Sequence, residues 1–152
     1  MKKYLFIVWS AVLAIGLTGC KEDTAKVEKA NTIDLKAYHQ EWQFDENALQ
    51  FFYHFDIPEI TRQVYDYGNW TLSQEFNKGY KNAYQVALPM TYYLSDTLSN
   101  GSVVYYSQLI DYRIGVGYVE IQLTNSDYLY PTYPDGTKQK PADMYFRLQL
   151  IY

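Results

Sequence analysis

A two-residue alternation of large apolar and polar side chains constrains this chain more than any other feature. Leu49, Phe51, Tyr53 and Phe55 alternate with Gln50, Phe52, His54 and Asp56, and Trp70, Leu72 and Phe76 alternate with Asn69, Thr71, Ser73 and Glu75. Tyr84, Val86 and Leu88 keep the pattern up to Pro89, and Val119, Ile121 and Leu123 alternate with Tyr118, Glu120 and Gln122. Residues 103–114 are β-branched and aromatic, and Phe146, Leu148, Leu150 and Tyr152 stand opposite Tyr145, Arg147, Gln149 and Ile151. Successive side chains of a strand point to opposite faces, so this period gives strands with one apolar and one wet face. Such a face must be buried against another. Asn77-Lys78-Gly79, residues 95–101 and the break Gly115-Val116-Gly117 read as turns or loops between the strands. Six to eight short strands so punctuated predict an all-β fold, an antiparallel β-sandwich, with a small closed β-barrel as the alternative.

One segment departs from the alternation. Asp56-Ile57-Pro58-Glu59 reads as a helix start, with Asp56 as N-cap, Pro58 in the first turn and Glu59 reaching back. Ile57, Ile60 and Val64 follow at helical spacing and Gly68 can supply a left-handed stop, so one short helix is expected over about 57–67. The run FDIPEITRQVYDYG at 55–68, followed by Ala87-Leu88-Pro89-Met90-Thr91, resembles small Bacteroidetes lipoproteins. The resemblance implies a β-sandwich over most of 33–152 and brings no established activity.

The start of the chain carries a different signal. Lys2 and Lys3 precede an uncharged run, residues 4–17, that ends in Leu17-Thr18-Gly19-Cys20. That run suits the core of an export signal and is short for a membrane span, which needs about 20 residues to cross roughly 30 Å of hydrocarbon. The ending resembles the lipobox of bacterial lipoproteins, which implies cleavage after residue 19 and acylation of Cys20. Cys20 is the one cysteine of the chain, so no disulfide is available. Lys21-Glu22-Asp23 resembles the export tag of Bacteroidetes surface lipoproteins. It implies an outer-membrane address facing the cell surface, with the periplasmic face as the alternative. Residues 20–32 read as the lipidated cysteine and a flexible tether, because a polar segment without aromatics cannot bury enough surface to order itself. Residues 33–152 then form one domain.

Composition excludes some classes of partner. Removal of residues 1–19 takes away Lys2 and Lys3 and moves the formal net charge from −4 to −6. Nucleic acid is not an expected partner, since its recognition needs clustered Lys and Arg and the longest basic grouping is Lys138 and Lys140. His39 is expected to be exposed in a first strand, and His54 to be a hydrogen-bonded structural residue in mid-strand. Neither has a second ligand at metal-binding spacing, so no metal and no cofactor is expected. Asp111 and Glu120 flank the glycine break and are the one pair of carboxylates placed for glycoside hydrolysis; solvated edge charges are the simpler account. Tyr133-Pro134-Asp135-Gly136-Thr137 is a turn with too few acids for calcium.

The chain has 18 Tyr, all but Tyr4 beyond residue 32. Tyr128, Tyr130 and Tyr133 surround Pro131 in a turn-rich segment and are the candidate binding loop, since loop tyrosines offer a ring and a hydroxyl at low entropic cost. The doublets Tyr92-Tyr93 and Tyr105-Tyr106 read more simply as cross-strand packing. Asp23-Thr24-Ala25 and Asp96-Thr97-Leu98 resemble the Bacteroidetes O-glycosylation acceptor, making Thr24 and Thr97 candidate sites. Together these features predict an envelope lipoprotein, held to the membrane by its lipid anchor, that acts as a non-catalytic module binding a ligand or another envelope protein. The rivals are a carbohydrate-binding accessory of a polysaccharide-uptake system, with a glycan as partner, and an enzyme. Cys20→Ala should leave an uncleaved precursor that takes up no labelled fatty acid; normal incorporation by the variant would exclude the anchor.

Overall fold

A computed structural model describes residues 30–97 and 100–152. Residues 1–29 lie outside the described residues, and with them the signal segment, Cys20, the tag Lys21, Glu22 and Asp23, and Thr24. The described chain is an antiparallel β-sandwich. Its elements are β1 (Ala30–Ala37), β2 (Gln43–Asp45), β3 (Gln50–Asp56), α1 (Arg62–Tyr67), β4 (Asn69–Phe76), β5 (Tyr84–Ala87), β6 (Met90–Thr97), β7 (Val103–Gly115), β8 (Tyr118–Asn125) and β9 (Met144–Ile151). A four-stranded sheet has the order β1-β9-β4-β5 and a five-stranded sheet the order β2-β3-β8-β7-β6. The two sheets remain separate among the described residues, so the barrel alternative is set aside.

The alternating apolar residues face each other between the sheets. Leu35, Leu72, Phe146, Leu148 and Leu150 come from one side and Phe51, Ile110, Val119, Ile121 and Leu123 from the other, all buried. Phe55 meets Phe146 edge-on across the gap at 6.5 Å. A polar link also crosses the core, where the Tyr92 hydroxyl donates to Oε1 of buried Gln74 at 2.9 Å. Burial pushes the Tyr92 hydroxyl up to about 12, so it remains a donor.

Several boundaries differ from the sequence expectation. β1 begins at Ala30, where the tether was expected to run to residue 32, because Ala30, Asn31 and Thr32 pair with Ile151, Leu150 and Gln149. Backbone pairing needs no apolar side chain, so the polar composition hid it. His39 lies in a 3₁₀ turn and not in a strand. The helix starts five residues later than expected, since Asp56 is paired with Tyr118 as the last residue of β3 and is not free to cap. Thr61 caps instead, its side-chain oxygen accepting from the Val64 N–H at 3.3 Å. Residues 57–60 form a turn docked on the β7–β8 hairpin through Ile57 N–H to Gly117 C=O at 2.7 Å and Gly117 N–H to Ile60 C=O at 2.8 Å. Gly68 is extended (φ −82°), not left-handed; a Cβ there would stand 2.5 Å from the Val64 carbonyl oxygen, so close approach is what requires glycine.

The outer face of the four-stranded sheet is tied by a closed ring of charges. Arg147 contacts Asp34 at 2.8 Å and Glu75 at 3.2 Å, while Lys78 contacts Glu75 at 2.7 Å and Asp34 at 3.3 Å. Each carboxylate thus serves both cations, joining β1, β9 and β4. The Arg147 guanidinium holds the Asp34 carboxyl below the usual range against the opposing effect of burial, with Lys78 assisting. A depressed carboxyl stabilises the fold above its unfolded pKa and loses that contribution as pH falls through the depressed value. Asp34→Asn should therefore melt below the parent at neutral pH, and the difference should shrink in acid as the pH falls past the ordinary carboxyl range and through the depressed value. Thermal melts across pH check this; a constant offset would show that the ring acts by packing alone.

Candidate functional site

The outer face of the five-stranded sheet divides into two halves. Toward β3 and β8 it is charged: His54 stacks on Tyr118 with ring centroids 5.1 Å apart and contacts Asp56 at 3.4 Å, and Glu120 lies 3.9 Å from Arg113. His54 is therefore exposed and partnered by a ring and a carboxylate. His39 is exposed as expected, its backbone N–H donating to Asp143 at 2.8 Å. Asp111 pairs with Gln122, and Glu120 with Arg113, so the two candidate acids are diagonal neighbours on an open sheet surface. Among the described residues no group of His, Cys, Asp or Glu is arranged to hold a metal ion, and no helix is long and apolar enough to cross a membrane.

Toward β6 and β7 the same face carries tyrosines and hydroxyls. A strand cannot bury both members of a doublet, because neighbours point to opposite faces. Tyr92 and Tyr106 turn to the inner side, and Tyr93 and Tyr105 stand outside at 89% and 82% exposure. The doublets are thus not packing alone. Tyr93 is paired with Ser107 and Tyr105 with Ser95, so rings and hydroxyls alternate in a chequer across the two strands. An open groove of about 490 Å³ runs here, lined by Tyr93, Ser95, Tyr105, Ser107 and Ser126, with Leu94 and Tyr106 beneath. A second, of about 280 Å³, shares Ser107 and Ser126 and adds Thr91, Leu109, Thr124, Asn125 and Tyr128. No Asp, Glu, Lys or Arg lines either groove.

The expected binding loop splits on inspection. Tyr130 is corrected to a structural residue: it meets Phe44 and Phe51 edge-on at 5.2 and 5.3 Å, and its hydroxyl donates to the Leu49 carbonyl at 2.9 Å. That hydroxyl also accepts from the Asn125 N–H at 3.0 Å. Buried Asn125 completes the clamp, donating from Nδ2 to the Leu129 carbonyl at 2.6 Å and accepting from Gln108 at 2.9 Å. The clamp holds Tyr128 in a left-handed conformation (φ 57°) with its side chain at the end of the second groove, 55% exposed. Tyr133 is exposed in the turn closed by Thr132 and Lys138 and lines neither groove. Thr97 is exposed but ends β6 opposite Val103, where a loop was expected. Lys138 and Lys140 are tied down, by Glu46 at 3.3 Å and by the Gln40 carbonyl at 2.7 Å.

Fold and face together define an antiparallel β-sandwich whose five-stranded sheet carries an uncharged, tyrosine-bearing outer patch over β6 and β7. Compared with family models, curated proteins and solved structures, the chain matches none.

Tyr130→Ala should cost about 3 kcal/mol, because it opens a cavity beside Phe44 and Phe51 and strands two backbone partners. Tyr128→Ala should stay within about 0.5 kcal/mol, as surface substitutions do. Denaturant melts of the two variants test this division, and equal losses would contradict it.

Proposed function

We propose that this chain is a lipid-anchored envelope lipoprotein, tethered through Cys20, whose sandwich domain is a non-catalytic binding module. The outer face of β6 and β7 is the surface that meets its ligand or partner. The tag Lys21-Glu22-Asp23 favours the cell-surface side of the outer membrane. The observation that carries the reading is the exposure of Tyr93 and Tyr105 as diagonal neighbours on one face of the sheet, where neither ring contributes to the core. Two large rings left in water are an unused source of contact area, since Tyr adds apolar surface and a hydrogen-bonding hydroxyl at the cost of only two ordered torsions. The paired candidates Asp111 and Glu120 lie outside these grooves, whose lining holds no carboxylate, which supports binding over catalysis.

Hydroxyl-radical footprinting can compare intact cells with the purified lipoprotein in detergent. Tyr93 and Tyr105 should be modified less in cells, while Tyr67 and Tyr80, which are also exposed, should react equally in both. Equal modification of all four would overturn the reading.

A further inference from the structure

The two grooves are continuous, flat and uncharged, and that combination restricts what can occupy them. We propose that the face built by Tyr93, Tyr105 and Tyr128 binds a neutral glycan chain. The inference rests on the binding role proposed for this face and names its ligand class.

The shape argues against a small ligand, because sites for small molecules are concave and enclose most of the ligand's surface. Here the rings stand on an open sheet, and the shared residues Ser107 and Ser126 join the two grooves end to end. Tyr93 and Tyr105 lie diagonally across β6 and β7, a separation of roughly 7–8 Å between backbone positions. An extended polymer can meet both and continue past Leu109 toward Tyr128.

Chemistry narrows the class further. Sugar rings present an apolar C–H face and an equatorial rim of hydroxyls. An aromatic ring covers the first and neighbouring hydroxyls bond the second. The chequer of Tyr93 with Ser107 and Tyr105 with Ser95 supplies both at each step. A protein partner would also use exposed tyrosines on a face without charge, but the serines, and the absence of arginine and methionine from the grooves, weigh against it. A polyanion fits less well too, because no Lys or Arg lines the grooves and the chain is acidic, with formal net charge −4. The nearest carboxylates are engaged elsewhere: Asp96 points with Tyr106 to the other side of the hairpin, and Asp127 accepts from the Leu129 N–H at 3.0 Å.

The backbone that carries the three rings is also prearranged. Tyr128 is fixed by the Asn125 and Tyr130 clamp, and Tyr93 and Tyr105 are held by a continuous ladder from Met90–Ile110 to Thr97–Val103. Little backbone order remains to be gained on binding, which favours affinity for a weakly held polymer.

Native affinity electrophoresis tests this with the full chain in detergent. The gels are cast with soluble neutral polysaccharides (a mixed-linkage β-glucan, a glucomannan, an α-glucan, a galactan) or with alginate and polygalacturonate. Retardation is expected in at least one neutral gel and in neither uronate gel. Tyr93→Ala and Tyr105→Ala should each weaken it about tenfold or more, while the Phe variants keep most of it because the ring survives. The melting midpoints of all four variants should match the parent. Retardation only by uronates, retardation unchanged in both Ala variants, or no retardation in any gel would overturn the glycan. A dimer in sedimentation that Tyr93→Ala dissolves would overturn it too, by making a second copy the occupant. If no gel retards the protein yet Tyr93 and Tyr105 stay protected in cells, the glycan fails and the binding face stands. If protection is also missing, both fail.

Discussion

The inner face of β9 is the constraint on which the rest of the molecule depends. Phe146, Leu148 and Leu150 are fully buried, and the strand that carries them is hydrogen-bonded on one side to β1 and on the other to β4. Each such side chain contributes about 1.5–3 kcal/mol relative to exposure. No disulfide can share that task in a chain with one cysteine. The pairing also joins distant parts of the sequence, with Ala30 opposite Ile151 and Asn69 opposite the same residue from the other side. The four-stranded sheet therefore depends on contacts of very long sequence separation. Such topologies belong to the slower-folding class, since loop-closure entropy must be met before the contacts reward it.

Because the core is held from inside, the two outer faces are free to differ. On the four-stranded sheet, opposite charges are matched in a closed ring, and a groove of about 290 Å³ beside it is lined by Glu75, Lys78 and Arg147, charges already paired with one another or with Asp34. On the five-stranded sheet, the outward charges Asp111, Arg113 and Glu120 lie away from the grooves, and Asp96 of β6 points to the other side of the hairpin. The β6–β7 hairpin runs past the end of β8, whose last residue, Asn125, pairs with Gln108. Beyond that point the hairpin has neighbours on one side only, and β6 is an edge strand without Lys or Pro. Edges that carry exposed aromatics invite association, and proteins usually blunt them. Here the grooved side of the edge is lined with serine and threonine hydroxyls, which keep it wet without adding charge, while Asp96 lies on its other side.

The fold was legible because alternation is a local property. The strands around Phe51, Leu72, Ile121 and Leu148 are written in the order of their side chains and bury those four residues, although β4 also buries Ser73 from its expected wet face. What escaped depends on partners remote in sequence. Ser95, Asp96 and Thr97 are turn formers by composition, yet the opposed segment from Val103 to Tyr105 draws them into β6. Asp56 carries every local mark of an N-cap and is removed from that role by its ladder with Tyr118. The candidate site was half legible. Tyr128 was identified as an exposed loop ring, but Tyr130 depends on Phe44, Phe51, Leu49 and Asn125, none of which its own neighbourhood reveals. Tyr93 and Tyr105 could have been found from the doublets, since two adjacent tyrosines in any strand must send one ring outward.

The division of labour among the tyrosines follows from where each hydroxyl can go. Tyr53 and Tyr92 are raised to about 12 chiefly by burial, and each donates to a protein acceptor, Glu41 or Gln74, so their polar ends are satisfied within the fold. Tyr130 uses its hydroxyl both as donor and acceptor and closes the 126–130 turn. Tyr93, Tyr105 and Tyr128 instead keep a polar end in water above an apolar ring. Left-handed backbone at a non-glycine residue costs roughly 1–2 kcal/mol, and Tyr128 holds that conformation where any buried use of its ring is forgone. The same turn lets the Tyr128 N–H donate to the Asn125 carbonyl and Asn125 Nδ2 donate to the Leu129 carbonyl, so the strain is offset inside the domain while the ring is left outward.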